Sequence, residues 1–254
     1  MTASGSSVPQ QFFKVRIADV NIEIECRNPH GFSDYVSYLA KFDTPDLVVS
    51  AGADEIEAEC RRVLGDRYDA AECAAMEKGD MEAAVVFRKI TDAMLDFSTL
   101  FIHGAAIAVE DRCYIFSAPS GTGKTTHAVN WLRRVPGAYI VNGDKPLVNL
   151  DNMRVYGTPW CGKEHMSTNT GVPLAGLICL ERSGDNAITP IPFGMMLPCL
   201  LQQCYIPDSH ARARTAYNLI GRLRQVPCWR LRCNPSEESA LVAWRGLTGA
   251  GRDA

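Results

Sequence analysis

Ser117-Ala118-Pro119-Ser120-Gly121-Thr122-Gly123-Lys124-Thr125-Thr126 follows the apolar run Tyr114-Ile115-Phe116 and opens a helical pattern that runs to about Arg134, where Pro136-Gly137 ends it. Strand, glycine-rich turn, Lys-Thr pair and helix in that order are the context of a phosphate-binding P-loop. The chemistry needs these residue types. Glycines at 121 and 123 allow the backbone angles with which successive N–H groups wrap a phosphate. The helix that follows points its positive end at the same anion. Lys124 can reach the β- and γ-phosphates, and the Thr125 hydroxyl can bind Mg²⁺. Ala118 stands where the strict pattern has Gly, the smallest replacement available. The segment predicts a nucleoside triphosphate site over Ser120, Gly121, Thr122, Gly123, Lys124, Thr125 and Thr126.

Chemistry-bearing residues flank this loop on both sides. Asp144 comes 20 positions after Lys124, at the end of the apolar run Tyr139-Ile140-Val141. An acid at a strand tip beside a P-loop can hold Mg²⁺ or accept a proton from an attacking hydroxyl. Asn142-Gly143 between two apolar runs is equally a standard hairpin turn. His103-Gly104 lies before the loop strand, where a histidine is either a satisfied core residue or a site residue. The loop from Gly157 to Glu164 carries Lys163 and Glu164 as candidate substrate contacts, with Cys161 as a buried or reactive thiol. Between Ser209 and Pro235 stand six arginines and no acid. These form either a solvated helix face or a contact for phosphate or an acidic peptide.

The remaining pattern is mixed α/β. Phe12–Ala18 and Val20–Cys26 alternate like half-buried strands around a hairpin at Asp19, and 53–64 and 81–97 read as helices. Beyond Phe101, strands are expected over Ile102–Val109 and Cys113–Phe116 around an Asp111-Arg112 turn. Further strands fall at Ala138–Val141, Leu147–Leu150, Arg154–Tyr156, Leu174–Leu180 and Cys228–Leu231. Helices are expected at 193–204, 209–225 and 236–247. The chain thus divides into an N-terminal α+β region (1–98) and a P-loop domain (99–254).

Composition narrows the classes. The 254 residues are 46% hydrophobic and carry a formal charge of -3, which gives no general reason to expect nucleic acid or an anionic membrane. No run approaches the roughly 20 apolar residues of a membrane-spanning helix. The polar start shows no signal-peptide h-region. The 10 cysteines never fall as C-x-x-C, and they read as reduced thiols of a cytoplasmic protein.

The order His103-Gly104, Ser120-Gly121-Thr122-Gly123-Lys124-Thr125-Thr126, Asn142-Gly143-Asp144-Lys145 resembles the HPr kinase/phosphorylase family, which shares its P-loop core with ATP-dependent phosphoenolpyruvate carboxykinases. It also resembles the shorter serine kinases of modified-peptide biosynthesis, including lasso-peptide kinases. The likeness covers roughly residues 100–190. It implies a mixed-sheet kinase core that uses ATP and Mg²⁺ to phosphorylate a Ser or Thr hydroxyl of a peptide or protein, such as a precursor peptide. Gly121, Gly123 and Lys124 would hold the phosphates, and Thr125 and Asp144 the metal. Asp144 would serve as base, metal partner or both, with His103 and Lys124 as catalytic partners. Gly143 occupies the place of the family's second aspartate, and the longer downstream glycine signature of full HPr kinases has no copy here. A small hydroxyl metabolite as acceptor and a nucleotide-sensing protein without transfer are the alternatives. A homo-oligomer is left open.

Overall fold

The computed structural model describes residues 11–65, 69 and 78–249. The chain forms two compact units, Met1–Ala93 and Met94–Ala254; the expected division fell after residue 98.

In the first unit, β1 (Gln11–Ile17) and β2 (Val20–Cys26) form the expected antiparallel hairpin, from Gln11↔Cys26 to Ile17↔Val20. Ala18 and Asp19 both take left-handed φ angles, 50° and 64°. A two-residue type I′ turn requires this, and its twist matches that of the strands. β3 (Leu47–Ser50) pairs parallel to β2; at four residues it is too short to show a period in sequence. The helices α1 (Ala53–Leu64) and α2 (Lys78–Ala93) follow. Buried Glu59 of α1 pairs with Arg62 at 2.7 Å and with Arg88 of α2. The expected helix over 81–97 stops at Ala93, because Met94–Phe97 tightens into a 3-10 turn grouped with the second unit.

The second unit is built on a mixed nine-stranded sheet. Its chain order is β4 (Thr99–Phe101), β5 (Ala105–Val109), β6 (Arg112–Ser117), α3 (Lys124–Arg134), β7 (Tyr139–Asn142), β8 (Leu147–Asn149), β9 (Arg154–Tyr156), β10 (Gly171–Arg182), β11 (Ala187–Ile191), α4 (Phe193–Gln203), α5 (His210–Arg222), β12 (Cys228–Cys233) and α6 (Glu238–Thr248). In space the strands run β4-β8-β9-β10-β6-β5-β7, with β12 also on β10 and β11 on β12. β10 is the axis of this sheet. It lies parallel to both β6 and β12, and helices cover both its faces, so its sequence is an apolar run without alternation.

Neighbouring residues on these strands feed opposite cores. Ile115 and Leu177 face Met196 and Leu200 of α4 and Ile220 of α5. Phe116 and Ile178 face Ala128 and Trp131 of α3 and Ala243 of α6. The unit is therefore three-layered, and each fully buried Leu or Ile contributes about 1.5–3 kcal/mol.

Two turns differ from the sequence reading. The β5–β6 turn is Glu110-Asp111, with φ of 51° and 57°, because Arg112 already pairs with Val109. Asn142-Gly143 is not a hairpin turn, since β7 pairs with β5 while β8 pairs with β4 and β9. β7 leaves the sheet here, and β8 enters elsewhere.

This topology gathers one edge. β6, β10 and β12 are parallel, and β5 runs against β6 and β7. The ends of β6, β7, β10 and β12 and the start of β5 therefore meet on the same side. Ligands of such sheets bind at the carboxyl ends of parallel strands. The glycine loop, Asp144, His103 and Arg182 all stand there.

Candidate functional site

The glycine loop leaves β6 at Ser117 and enters α3 at Lys124. Gly121 and Gly123 have φ of +77° and +118°, angles that side-chain-bearing residues rarely adopt. No side chain caps α3, and its first turn holds no acid. The first main-chain bond into this end is His127 N–H to Gly123 O at 2.9 Å. The N–H groups before it have no partner within the helix and face the loop, the arrangement that binds anions. Lys124 is buried and donates from Nζ to Ala118 O at 2.8 Å and Pro119 O at 3.4 Å. Burial lowers its pKa, with nearby Asp144 and Cys199 opposing the shift.

His103 and Asp144, 41 positions apart, meet beside the loop. His103 bridges two oxygens: its Nε2 lies 3.1 Å from Asp144 Oδ1 and its Nδ1 2.8 Å from Gln203 Oε1. The main chain locks the pair: His103 N–H donates to Gln203 O at 2.7 Å and Gly104 N–H to Asp144 O at 2.9 Å. A Cβ at 104 would press to 3.0 Å from both Phe116 O and Ile115 Cγ2, so glycine lets the two chains approach here. Lys145 Nζ donates to Asp144 Oδ2 at 2.7 Å. The bond from His103, followed by Lys145, holds the Asp144 carboxyl well below the usual carboxylate range against the opposing effect of burial. Asp144 is therefore ionised throughout the neutral range, with both oxygens engaged.

Asn142, fully buried, sets the direction of this carboxylate. Its Oδ1 accepts from the N–H of Asp144 at 2.9 Å and of Lys145 at 2.6 Å, and its amide donates to Thr158 O and Oγ1. The result is an Asx turn, which turns the chain locally without a partner strand. The Gly143 departure also has a structural setting. A Cβ there would lie 3.4 Å from Cys161 O and from Met166, so the 157–166 segment fills the space beside it.

The other candidates fall around this centre. Gly162 passes so close that a Cβ on it would lie 3.3 Å from Asp144 Cβ. Lys163 and Glu164 follow on the exposed rim. Cys161 is buried, its Sγ donating to Pro159 O at 3.6 Å. Thr125 is half-buried in the first turn of α3, while Ser120 and Thr126 are exposed. Thr122 folds back on Pro119 O at 2.8 Å. The acid-free arginine stretch finds acids elsewhere in the chain: Arg212 with Asp96, Arg222 with Asp151 and Arg230 with Glu181.

A cavity of about 570 Å³ opens on the other side of the loop. Thr122, Thr126, Asn130, Arg182, Asn234 and Ser239 line it, and among the described residues no acid does. Arg182, at the end of β10, donates from Nε to Thr122 O at 3.2 Å and from its guanidinium to Gly121 O. His127 forms part of the wall. Burial pushes its pKa down to about 3, so the ring is neutral, accepting from Trp131 Nε1 at 2.9 Å and facing Ser239 Oγ at 3.3 Å. Since β6 lies between β10 and β5, the cavity and the His103–Asp144 pair flank the loop from opposite sides.

Sequence reasoning missed Asn142, Thr158, Gln203 and Arg182. Asn142 carried a usable signal, an Asn two residues before the acid. Gln203 and Arg182 reach the site only through tertiary structure. No protein-family model matches the chain, and no curated protein matches it significantly.

Proposed function

We propose that the chain is an Mg²⁺-dependent kinase that moves the γ-phosphate of ATP to a Ser or Thr hydroxyl of a peptide or protein, as its resemblance to HPr kinases implies. One observation carries this reading: an ionised carboxylate, oriented by His103, stands beside an uncapped helix N-terminus with a buried lysine. The phosphates would lie against the open N–H groups of the glycine loop, with Lys124 turning from Ala118 O toward them. The nucleoside would occupy the cavity on the β10 side, leaving the His103–Asp144 side to the acceptor.

Thr125 and Asp144 offer hard oxygen donors, the set Mg²⁺ takes. Bound there, the ion would neutralise charge on the transferring phosphoryl group. Asp144 would orient the acceptor hydroxyl. With its affinity for protons lowered, it is a weak base, which suits a reaction governed by positioning and charge. His103 holds Asp144, and the exposed Lys163 and Glu164 stand where an acceptor peptide would approach.

The test is label transfer from γ-labelled ATP to candidate peptides, with Lys124→Ala as the control. Transfer by the parent and none by a folded Lys124→Ala chain is the expected result. Full transfer by that variant would end the kinase reading. The engagement of both Asp144 oxygens and the glycine at 143 favour a second reading, a nucleotide-sensing protein that binds ATP without transfer. Tight ATP binding with no phosphorylated product for peptides or small hydroxyl metabolites would select it.

A further inference from the structure

Two thiols lie beneath the glycine loop and have no part in the proposed transfer. Cys179 on β10 is the register partner of Ser117, the last residue of β6. Cys199 on α4 approaches the same residue from above the sheet, its Sγ 3.8 Å from Ser117 O. The two residues also pack against the same core layer, on the face of the sheet that α4 and α5 cover. Both are half-buried, whereas Cys113, Cys204 and Cys228 are buried. The next residue, Ala118, supplies the carbonyl that holds Lys124. The pair thus sits at the root of the loop, within reach of a small reagent.

We propose that Cys179 and Cys199 are a redox modification site, oxidised by a low-molecular-weight disulfide of the glutathione type to a β10–α4 disulfide that alters the glycine loop. Cys179 as thiolate attacks one sulfur of the small disulfide. A mixed disulfide forms, and one small thiolate leaves and takes up a proton. Cys199 then gives up its proton and attacks the Cys179 sulfur, expelling the second small thiol. Two protein thiols and one small disulfide become one protein disulfide and two small thiols, so atoms and electrons balance.

The environment sets the order of attack. The neighbouring Cys199 thiol lowers the pKa of the Cys179 thiol, with Arg230 assisting and burial and Glu181 opposing. Cys199 is pushed up, first by Cys179 and then by burial. The thiol whose pKa is lowered is the better attacking group, and its neighbour resolves the mixed disulfide. A bridge fixes its Cβ atoms about 3.5–4.5 Å apart, so it would tie α4 to β10 beside Ser117. The consequence for ATP rests on the proposed function; the linkage itself does not.

The experiment treats the reduced full-length chain with glutathione disulfide, caps free thiols with N-ethylmaleimide and maps peptides without reduction. ATP affinity is measured before oxidation, after it and after dithiothreitol. We expect a peptide joining Cys179 to Cys199, and ATP binding weakened about tenfold and restored by reduction, within the usual range for coupled sites. Cys199→Ser should stop at a glutathione adduct on Cys179, and Cys179→Ser should leave Cys199 unmodified. A linkage elsewhere, no reaction at this pair, or an adduct on Cys199 in the Cys179→Ser chain overturns the proposal. Unchanged affinity of the bridged chain overturns its effect on the loop. A reduced chain that binds no ATP removes the nucleotide reading, while the peptide map still decides the thiol pair.

Discussion

Asp144 concentrates the chemistry at the scale of single residues. Replacing it with Asn keeps the shape but removes the charge that His103 and Lys145 hold. Under the kinase reading, phosphoryl transfer should fall by about 10²–10⁴-fold in Asp144→Asn, measured as initial rates at saturating ATP. The same residue has a stability signature. Its carboxyl is held below its ordinary value of 3.8, so its stabilisation is fully present above that value and is lost as pH falls through the depressed folded-state value. Denaturant unfolding should show no loss from this group between pH 7 and 5, and a decline below about pH 4 that is shallower in Asp144→Asn. A variant as acid-sensitive as the parent would dissociate the carboxylate from this decline. Asn142→Ala removes the acceptor of two main-chain N–H groups and should destabilise the chain by about 1–3 kcal/mol, read as a shift in urea midpoint. How far this centre was legible in sequence differs by residue. Lys124 and Asp144 are visible from spacing along the chain. Gln203, 100 positions from His103, is not, because nothing local distinguishes an amide at a helix end from a solvated one.

Among the elements, α3 shows how local rules and packing cooperate. Its bounds, Lys124–Arg134, coincide with those read from the glycine loop before it and Pro136-Gly137 after it. Its inner stripe, Ala128 and Trp131, closes one face of the sheet. Gly123 enters with φ of +118°, so Gly123→Ala should cost about 1–2 kcal/mol and weaken nucleotide binding together with stability. Thermal melts and ATP titration of the same sample check both effects. β10 illustrates the reverse. Its apolar centre marked a buried strand, but its true length, Gly171–Arg182, was hidden because its ends pair with different partners, β9 at one and β12 at the other. Arg182 at its end reaches back to the loop for the same reason.

For the molecule as a whole, the net charge of -3 conceals a stretch of six arginines, and folding pairs three of them with acids. Asp96 of the 3-10 turn, Asp151 of the β8–β9 turn and Glu181 of β10 pair with Arg212, Arg222 and Arg230. This stretch should not act as a polyanion site, and the chain should pass through a heparin column at about 0.15 M salt, where exposed charges are screened beyond about 8 Å. Retention there would show that the arginines remain available. Among the described residues, no helix is long and apolar enough to cross a membrane.

By itself the sequence determined the α/β alternation, the hairpin around Asp19, the glycine loop and its helix, and the acid that follows them. These depend on side-chain periodicity and backbone freedom, which act between near neighbours. Only the tertiary structure decided that Asn142-Gly143 makes an Asx turn rather than a hairpin, that His103 and Gln203 orient Asp144, and that two thiols converge on Ser117. Those outcomes depend on which strands pair, and strand pairing is settled by burying both faces of one sheet at once.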